Sequence, residues 1–356
     1  MTLYEWQLYG KGMRKMIRIE LHKLFKRRLV WVVFCGIILL ITASSLWYNS
    51  NYFNGKDIDS LKKEISIFQK HKGTLTDERL AGFLEDYTMR KYDYIRALFV
   101  GEEGERRKVD DVYSRCDFPI QFGYFEGWLF FLDELPKYIK YIPIFIVVAF
   151  SALFTYEREC SMQEILLCAK RGREQCVRAK VAGAFLLTNA LWIFALVPTG
   201  ILYFIRYRGI GWDTSIQMTL WLKDSQLQMN YGTLFIHMVF LSLIVINVIL
   251  LFTLIVSYHV KNPMTAMCIV LGVLFFLRPD MMSVILSDNA VADRITALTP
   301  VNVLDTVNLA KQLPVSAGGV KLQWLTVAEV LYAVLLVVCA FFFLRIMGKR
   351  QKYDAA

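Results

Sequence analysis

The chain has 356 residues, of which 56% are hydrophobic, and its formal net charge is +10. The hydrophobic fraction exceeds the roughly 45–50% of soluble domains, and apolar runs of about twenty residues recur along the chain. These features exclude an ordinary soluble domain and predict an all-α polytopic membrane protein. The basic residues lie beside the apolar runs rather than in a separate patch, so we expect no nucleic-acid partner.

Residues 1–28 are predicted to form a cytoplasmic amphipathic elbow helix in the membrane interface. Apolar residues at helical spacing share one side: Met13, Ile17, Leu21, Leu24 and Phe25. Basic residues and a histidine share the other: Lys15, Arg18, His22 and Lys26. This pattern is typical of a helix whose basic side is drawn to anionic lipid. The alternative is a basic flank that only orients the first span.

Six apolar runs are predicted to be transmembrane helices, at residues 29–47, 139–156, 181–205, 234–258, 264–277 and 326–346. The first is too long, and its basic flank too extended, for a signal peptide. The third is expected to be interrupted at Pro198 and Gly200, and Ala179 with Gly183 offers a small-residue face for close helix packing. The fifth either ends near residue 277 or continues past Arg278.

Residues 48–135 are predicted to form a mainly helical extracellular insert. Apolar residues at helical spacing mark two helices: Leu61, Ile65 and Phe68, then Leu80, Phe83, Leu84, Tyr87, Tyr94 and Leu98. A segment of this size has a marginal core, so we expect it to lean on the membrane or on a partner. Its last part is rich in aromatic residues: Phe118, Phe122, Tyr124, Phe125, Trp128, Phe130 and Phe131. This density predicts a headgroup-level helix or re-entrant turn; a ligand-stacking surface is the alternative.

The distribution of basic residues predicts the orientation. With six spans, the segments on the side of the termini hold nineteen Lys and Arg residues when Arg345 at the end of the sixth span is included, whereas the two short segments on the other side hold seven. The long insert is discounted because long segments translocate regardless of charge. We therefore expect a multi-pass protein of the cell membrane with both termini cytoplasmic. The segments at 278–323 and 347–356 are then an outer segment and a cytoplasmic tail.

Residues 157–180 form a charged cytoplasmic loop between two predicted spans. Acids come first, at Glu157, Glu159 and Glu164; bases come last, at Lys170, Arg171, Arg173, Arg178 and Lys180. The apolar step Ile165, Leu166 and Leu167 lies between them. This order complements a helix dipole and predicts a short helix near 157–169 that Gly172 can end. Such a loop could contact a cytoplasmic partner.

The loop resembles the first cytoplasmic loop of type-2 ATP-binding-cassette (ABC) transporter permeases of Gram-positive bacteria. The match is carried by Glu157, Glu164, Leu166, Leu167, Lys170, Gly172, Arg173, Ala179 and Lys180. It departs at Ser161, where family members usually have Gly. The resemblance implies an ATPase-coupling loop formed by Glu157, Glu164, Ile165, Leu166, Leu167, Lys170, Gly172 and Arg173. It also implies a cassette ATPase subunit and a second permease copy or paralogue as partners.

The expected function is therefore that of a permease subunit of an ABC transporter, exporting an amphipathic or lipid-like substrate or a peptide. The chain lacks a phosphate-binding loop, so ATP hydrolysis is expected only in the partner. We expect no catalytic residue, no cofactor and no metal site, although Cys160, Cys168 and Cys176 recur every eight residues.

Two alternatives differ in class from a transporter subunit. One is a non-transporting membrane sensor whose extracellular insert binds a ligand. The other is an intramembrane enzyme, which should place two or more acids or histidines in facing spans; the sequence indicates none. The polar residues noted within spans are Asn189, His237 and Asn247, and each is predicted to make a hydrogen bond between helices.

Overall fold

The computed structural model describes residues 15–26, 28–53, 58–86, 118–156, 172–219, 222–223, 225–278, 281–282, 290–312, 314–317 and 320–353. Helix α1 covers residues 15–25. The helices that follow are α2 (Arg28–Phe53), α3 (Ile58–Lys70), α4 (Asp77–Asp86), α5 (Glu126–Ile139), α6 (Ile142–Phe150) and α7 (Gly172–Tyr207). After them come α8 (Tyr231–His259), α9 (Pro263–Phe276), α10 (Ala290–Ala297), α11 (Thr306–Lys311) and α12 (Trp324–Tyr353).

Two short antiparallel strand pairs accompany these helices, which the all-α prediction did not include. Strand β1 (Gly73–Thr74) pairs with β2 (Gln121–Phe122), and β3 (Val315–Ala317) pairs with β4 (Val320–Leu322). Both pairs lie outside the apolar helices. Each pair supplies backbone hydrogen bonds to segments that lie outside the helices. The strands have only two or three residues each, so the fold remains predominantly helical.

Helix α8 lies at the centre of the bundle. It packs against α12, α6, α7 and α9 along its length, and against α5 and α11 as well. Its buried residues are distributed all round the helix rather than along one face. A helix that is apolar all round is stable only when neighbours or lipid surround it, and here other helices do so.

Three helices are long and apolar enough to cross a membrane: Gln175–Ile205, Tyr231–His259 and Trp324–Arg345. They coincide with the third, fourth and sixth predicted spans. Shorter apolar helices, Arg28–Ser44 and Pro263–Phe276, lie at the first and fifth. The predicted second span holds α6, then turn residues 151–154, and then helical residues 155–156. The structure is thus compatible with an all-α membrane protein, and the number six stays a prediction.

The predicted interruption of the third span is wrong, because α7 is continuous through Pro198 and Gly200. A proline removes one backbone donor from a helix, and a long helix with packed neighbours tolerates that loss. At the same turn the Thr199 hydroxyl donates to the Ala195 carbonyl at 2.9 Å. Helix α7 also begins at Gly172, so the last nine residues of the predicted loop belong to the helix.

The insert has a small core of its own. Helices α3 and α4 meet β2 through Phe68, Phe83 and Phe122, whose ring centroids lie 4.6 to 5.7 Å apart. At the surface, Lys70 and His71 donate hydrogen bonds to the Asp86 carboxylate, and these bonds lower its pKa. Of the second predicted helix, the residues from Tyr87 onward lie outside the described part of the chain.

Most of the aromatic tail of the insert is buried in protein, and its predicted headgroup-level position stays a prediction. Phe122, Tyr124, Phe125, Trp128 and Phe131 are buried, whereas Phe118 and Phe130 are partly exposed. Trp128, for example, packs on Tyr203 of α7 at a centroid distance of 4.8 Å. The rings therefore fasten the insert to the ends of α7 and α8, since burying a large aromatic residue against another removes more surface from water than resting it at the interface.

Gly211 is required where the α7–α8 connection passes under this aromatic layer. Its φ of +95° lies in a region that L-residues rarely adopt, and a methyl group there would overlap the Tyr124 carbonyl oxygen. Gly211→Ala should therefore lower the free energy of unfolding by at least about 2 kcal/mol. Thermal denaturation in detergent micelles would measure the change.

Gly200→Ala provides the matched control for that prediction. No heavy atom lies within 4 Å of a methyl group built at Gly200, which lies inside α7. Alanine there should be neutral or slightly stabilising. Equal stability of the two variants would contradict the assigned role of Gly211.

Candidate functional site

The candidate site is the place where the predicted coupling loop joins the helices. Glu157, Glu164, Ile165, Leu166, Leu167 and Lys170 lie outside the described residues. Gly172 and Arg173 lie in the first turn of α7. The structure does describe both ends of the loop, and we call residues 15–26, 151–156 and 172–180 the loop junction. The end of the bundle that carries it is the loop end, and the opposite end is the insert end.

Lys180 joins the two ends of the loop. Its ammonium group is buried, donates to the Leu153 carbonyl at 3.2 Å and lies 5.6 Å from the centre of the Phe154 ring. The carbonyl belongs to the turn after α6, whereas Lys180 belongs to α7. A buried cation is retained where carbonyl and aromatic groups replace its water. Its contacts therefore hold the chain just before the loop against the helix just after it.

The same turn is bonded to the end of α8. The Ser257 hydroxyl donates to the Ser151 carbonyl at 2.8 Å and accepts from the Phe154 backbone N–H at 3.2 Å. The Phe154 and Tyr258 rings meet edge to face, with centroids 5.6 Å apart. These contacts join the loop junction to the end of the central helix of the bundle.

Helix α1 completes the junction, and its burial pattern agrees with the two predicted sides. Of the predicted apolar side, Met13 lies outside the described residues; the other members are partly or fully buried: Ile17, Leu21, Leu24 and Phe25. The predicted polar residues Lys15, Arg18, His22 and Lys26 are exposed. Leu21 lies over Gly183 of α7, where a methyl group would be 3.7 Å from the leucine side chain. The predicted small-residue face therefore receives α1.

Glu20 is a part of the junction that the sequence did not reveal. It is only 6% exposed although it lies on a helix rich in charge. Its carboxylate accepts from the Lys23 ammonium at 2.7 Å and lies 4.0 Å from the thiol sulfur of Cys176 on α7. A single acid among many bases gives no periodic signal, so only the packing of α1 on α7 identifies it.

Polar side chains link α7 to α8 within the bundle, as predicted. Asn189 and Asn247 exchange two amide hydrogen bonds of 3.2 Å each. About one turn further along α7, the Trp192 indole donates to the Ser242 hydroxyl at 3.1 Å. The prediction of interhelical hydrogen bonds for the two asparagines is confirmed, and these bonds fix the register of α7 on α8.

His237 also makes the predicted interhelical bond, but its partner was missed. Its Nδ1 lies 2.6 Å from Oε1 of Glu329 on α12, so the imidazole donates and the carboxylate accepts. Glu329 is the fourth residue of the sixth predicted span, and a single acid within an apolar run is a weak sequence signal. The sequence argument that no two such groups occupy facing spans is therefore wrong, because this pair does.

The chemistry available at these sites is binding and positioning. Among the described residues, no group of three or more His, Cys, Asp or Glu side chains could hold a metal ion. Cys176 is buried, and Cys160 and Cys168 lie outside the described residues. The contacts among the described residues of these sites hold helices together and anchor the two ends of the loop.

Comparisons with protein-family models, with curated proteins and with solved structures find no match for this chain.

Proposed function

We propose that the chain is the membrane-spanning permease subunit of an ABC transporter, with six spans and both termini in the cytoplasm. It exports an amphipathic or lipid-like substrate or a peptide, works with a second permease copy or paralogue, and draws energy from a separate cassette ATPase. The resemblance of the 157–180 loop to the type-2 permease loop supports this proposal, together with the apolar helices on either side of it.

The buried Lys180 contact is the observation that best supports it. A loop that receives force from an ATPase must pass it to the helices rather than flex at its own ends. Lys180 ties the two ends together, and Ser257 ties the same turn to α8. A push on the loop would therefore reach the centre of the bundle through short, buried contacts.

The sensor alternative loses its main support in the structure. It needs aromatic rings on the insert that can stack on a ligand. Phe122, Tyr124, Phe125, Trp128 and Phe131 are buried among protein groups instead, whereas Phe118 and Phe130 are partly exposed. A ligand could reach the five buried rings only after the insert had opened.

Purification of the tagged full chain from its native membranes tests the function. We expect a protein with a phosphate-binding loop to co-purify in comparable amounts, and ATPase activity to appear only with that protein. Alanine in place of the partner's phosphate-loop lysine should remove the activity. ATP hydrolysis by the chain freed of its partner, or the absence of any phosphate-loop protein, would refute the proposal.

Cysteine labelling tests the orientation in intact cells. In a chain whose seven native cysteines are replaced by serine, Glu78→Cys places a thiol on the insert and Lys261→Cys places one at the loop end; both positions are exposed. A membrane-impermeant maleimide should label the first without treatment and the second only after permeabilisation. The reverse pattern would invert the proposed topology.

A further inference from the structure

A crevice of about 1040 Å³ opens at the loop end of the bundle. Helix α1, the start of α2 and the end of α6 form its walls, together with Lys180 of α7 and the start of α9. The start of α9 is fixed by a local cap. The Asn262 side chain accepts a hydrogen bond from the Met264 N–H at 2.8 Å, and Pro263 is the first residue of the helix. The crevice therefore lies where several apolar helices begin or end.

The lining changes from basic to apolar. Lys23 on α1 and Lys26, directly after α1, are exposed and line the crevice, and buried Lys180 lines it too. Among the described lining residues, Glu20 is the one acidic side chain, and its carboxylate forms an ion pair with the Lys23 ammonium group. The apolar part is formed by Leu24, Leu29, Val148, Met264 and Met267.

A ligand that suits this lining has an anionic head and an apolar body. A free inorganic anion would leave the apolar wall uncovered, whereas a neutral headgroup would not complement a described lining that holds three lysines and one acid. Lysines beside apolar helix ends are the groups that attract anionic headgroups, and methionines adapt to flexible chains.

We propose that this crevice binds one anionic phospholipid. Its phosphate contacts Lys23 and Lys26, and an acyl chain lies against Leu24, Leu29 and Met267. This inference goes beyond transport, since it requires only that the apolar helices lie in a bilayer. Its test needs no ATPase, so its outcome is independent of the proposed function.

Native mass spectrometry of the full chain tests the headgroup contact. The chain is released from vesicles containing equal parts of dioleoyl phosphatidylglycerol and dioleoyl phosphatidylcholine. We expect wild type to retain phosphatidylglycerol preferentially. Lys23→Gln combined with Lys26→Gln should reduce that retention about tenfold, because two bases near the headgroup are lost. Equal retention of the two lipids by wild type would overturn the proposal.

The matched control is Lys62→Gln combined with Lys63→Gln. Both lysines are exposed on α3 at the insert end, and the change in net charge is the same. This variant should retain phosphatidylglycerol like wild type. Equal loss in both double variants would show a general charge effect and would overturn the proposal.

Two single variants separate binding in the crevice from attraction to the surface. Met267→Trp should lower retention by filling the apolar part while leaving the lysines in place; unchanged retention would place the lipid elsewhere. Glu20→Gln should raise retention several-fold, because it removes the acid bonded to Lys23. A gain cannot result from misfolding, so a loss or no change in this variant contradicts the proposal even if other variants fold poorly.

Discussion

Replacing Leu166 and Leu167 together by aspartate is expected to abolish co-purification of the cassette ATPase while the chain remains in the membrane. Burying one leucine side chain is worth roughly 1.5–3 kcal/mol, whereas an exposed ion pair contributes about 0–1 kcal/mol. The apolar step of the loop should therefore dominate docking, and losing two leucines should weaken it by more than about a hundredfold. Insertion should persist, because neither residue belongs to a predicted span.

The measurement is ATPase recovered per unit of chain, beside membrane abundance. Ser66→Asp combined with Gln69→Asp is the matched control, since it adds two acids to exposed positions of α3. Methionine at both leucine positions should preserve docking. Neutral substitutions at Glu164, Lys170 and Arg173 should reduce the recovery of the ATPase less than the double aspartate change does. Wild-type recovery in the double aspartate variant would show that this loop is not the principal docking element.

The largest effect on stability is expected at His237 and Glu329. His237→Leu leaves the Glu329 carboxylate among exposed apolar side chains such as Val330 without its imidazole partner. The pair is partly buried, and removing one partner of such a pair in an apolar setting is more costly than removing both. The single change should lower the free energy of unfolding by about 3 kcal/mol. Thermal denaturation in detergent micelles would measure it.

A double-mutant cycle measures the interaction energy between His237 and Glu329 apart from their contacts with other residues. The double change to leucine should recover most of the loss, because neither polar group remains in an apolar setting. Glu329→Gln keeps an acceptor for the imidazole, so it should lower the free energy of unfolding less than His237→Leu does. A double variant as unstable as the worse single one would show that the two side chains act separately.

The sequence predicts the apolar helices well because each is a local signal. A run of apolar residues specifies α8 and α12 without reference to any other part of the chain. The interhelical bond of Asn189 follows similarly, since an amide within an apolar helix requires a partner. The identity of that partner, Asn247, depends on how the two helices pack and cannot be read from either segment alone.

The failures of prediction share a physical cause, which is contact between distant segments. Strand β1 pairs with β2 across more than forty residues, and no local pattern encodes that pairing. Aromatic density at Trp128 is equally suited to a membrane surface and to a protein core, and only Tyr203 and its neighbours decide between them. The loop residues Leu166 and Leu167 lie outside the described part of the chain, so their predicted role depends on the resemblance.

The central position of α8 has a consequence for biosynthesis. Residues up to 207 leave the ribosome before α8 does, yet α6 and α7 both pack on it. Until residue 259 has been made, the faces of these helices that will meet α8 must be covered by lipid or by the insertion machinery. Their final association is thus a late event that follows insertion. Chains that stop before α8 would leave unpaired amides such as Asn189 in the bilayer, where quality-control proteases recognise incomplete membrane proteins.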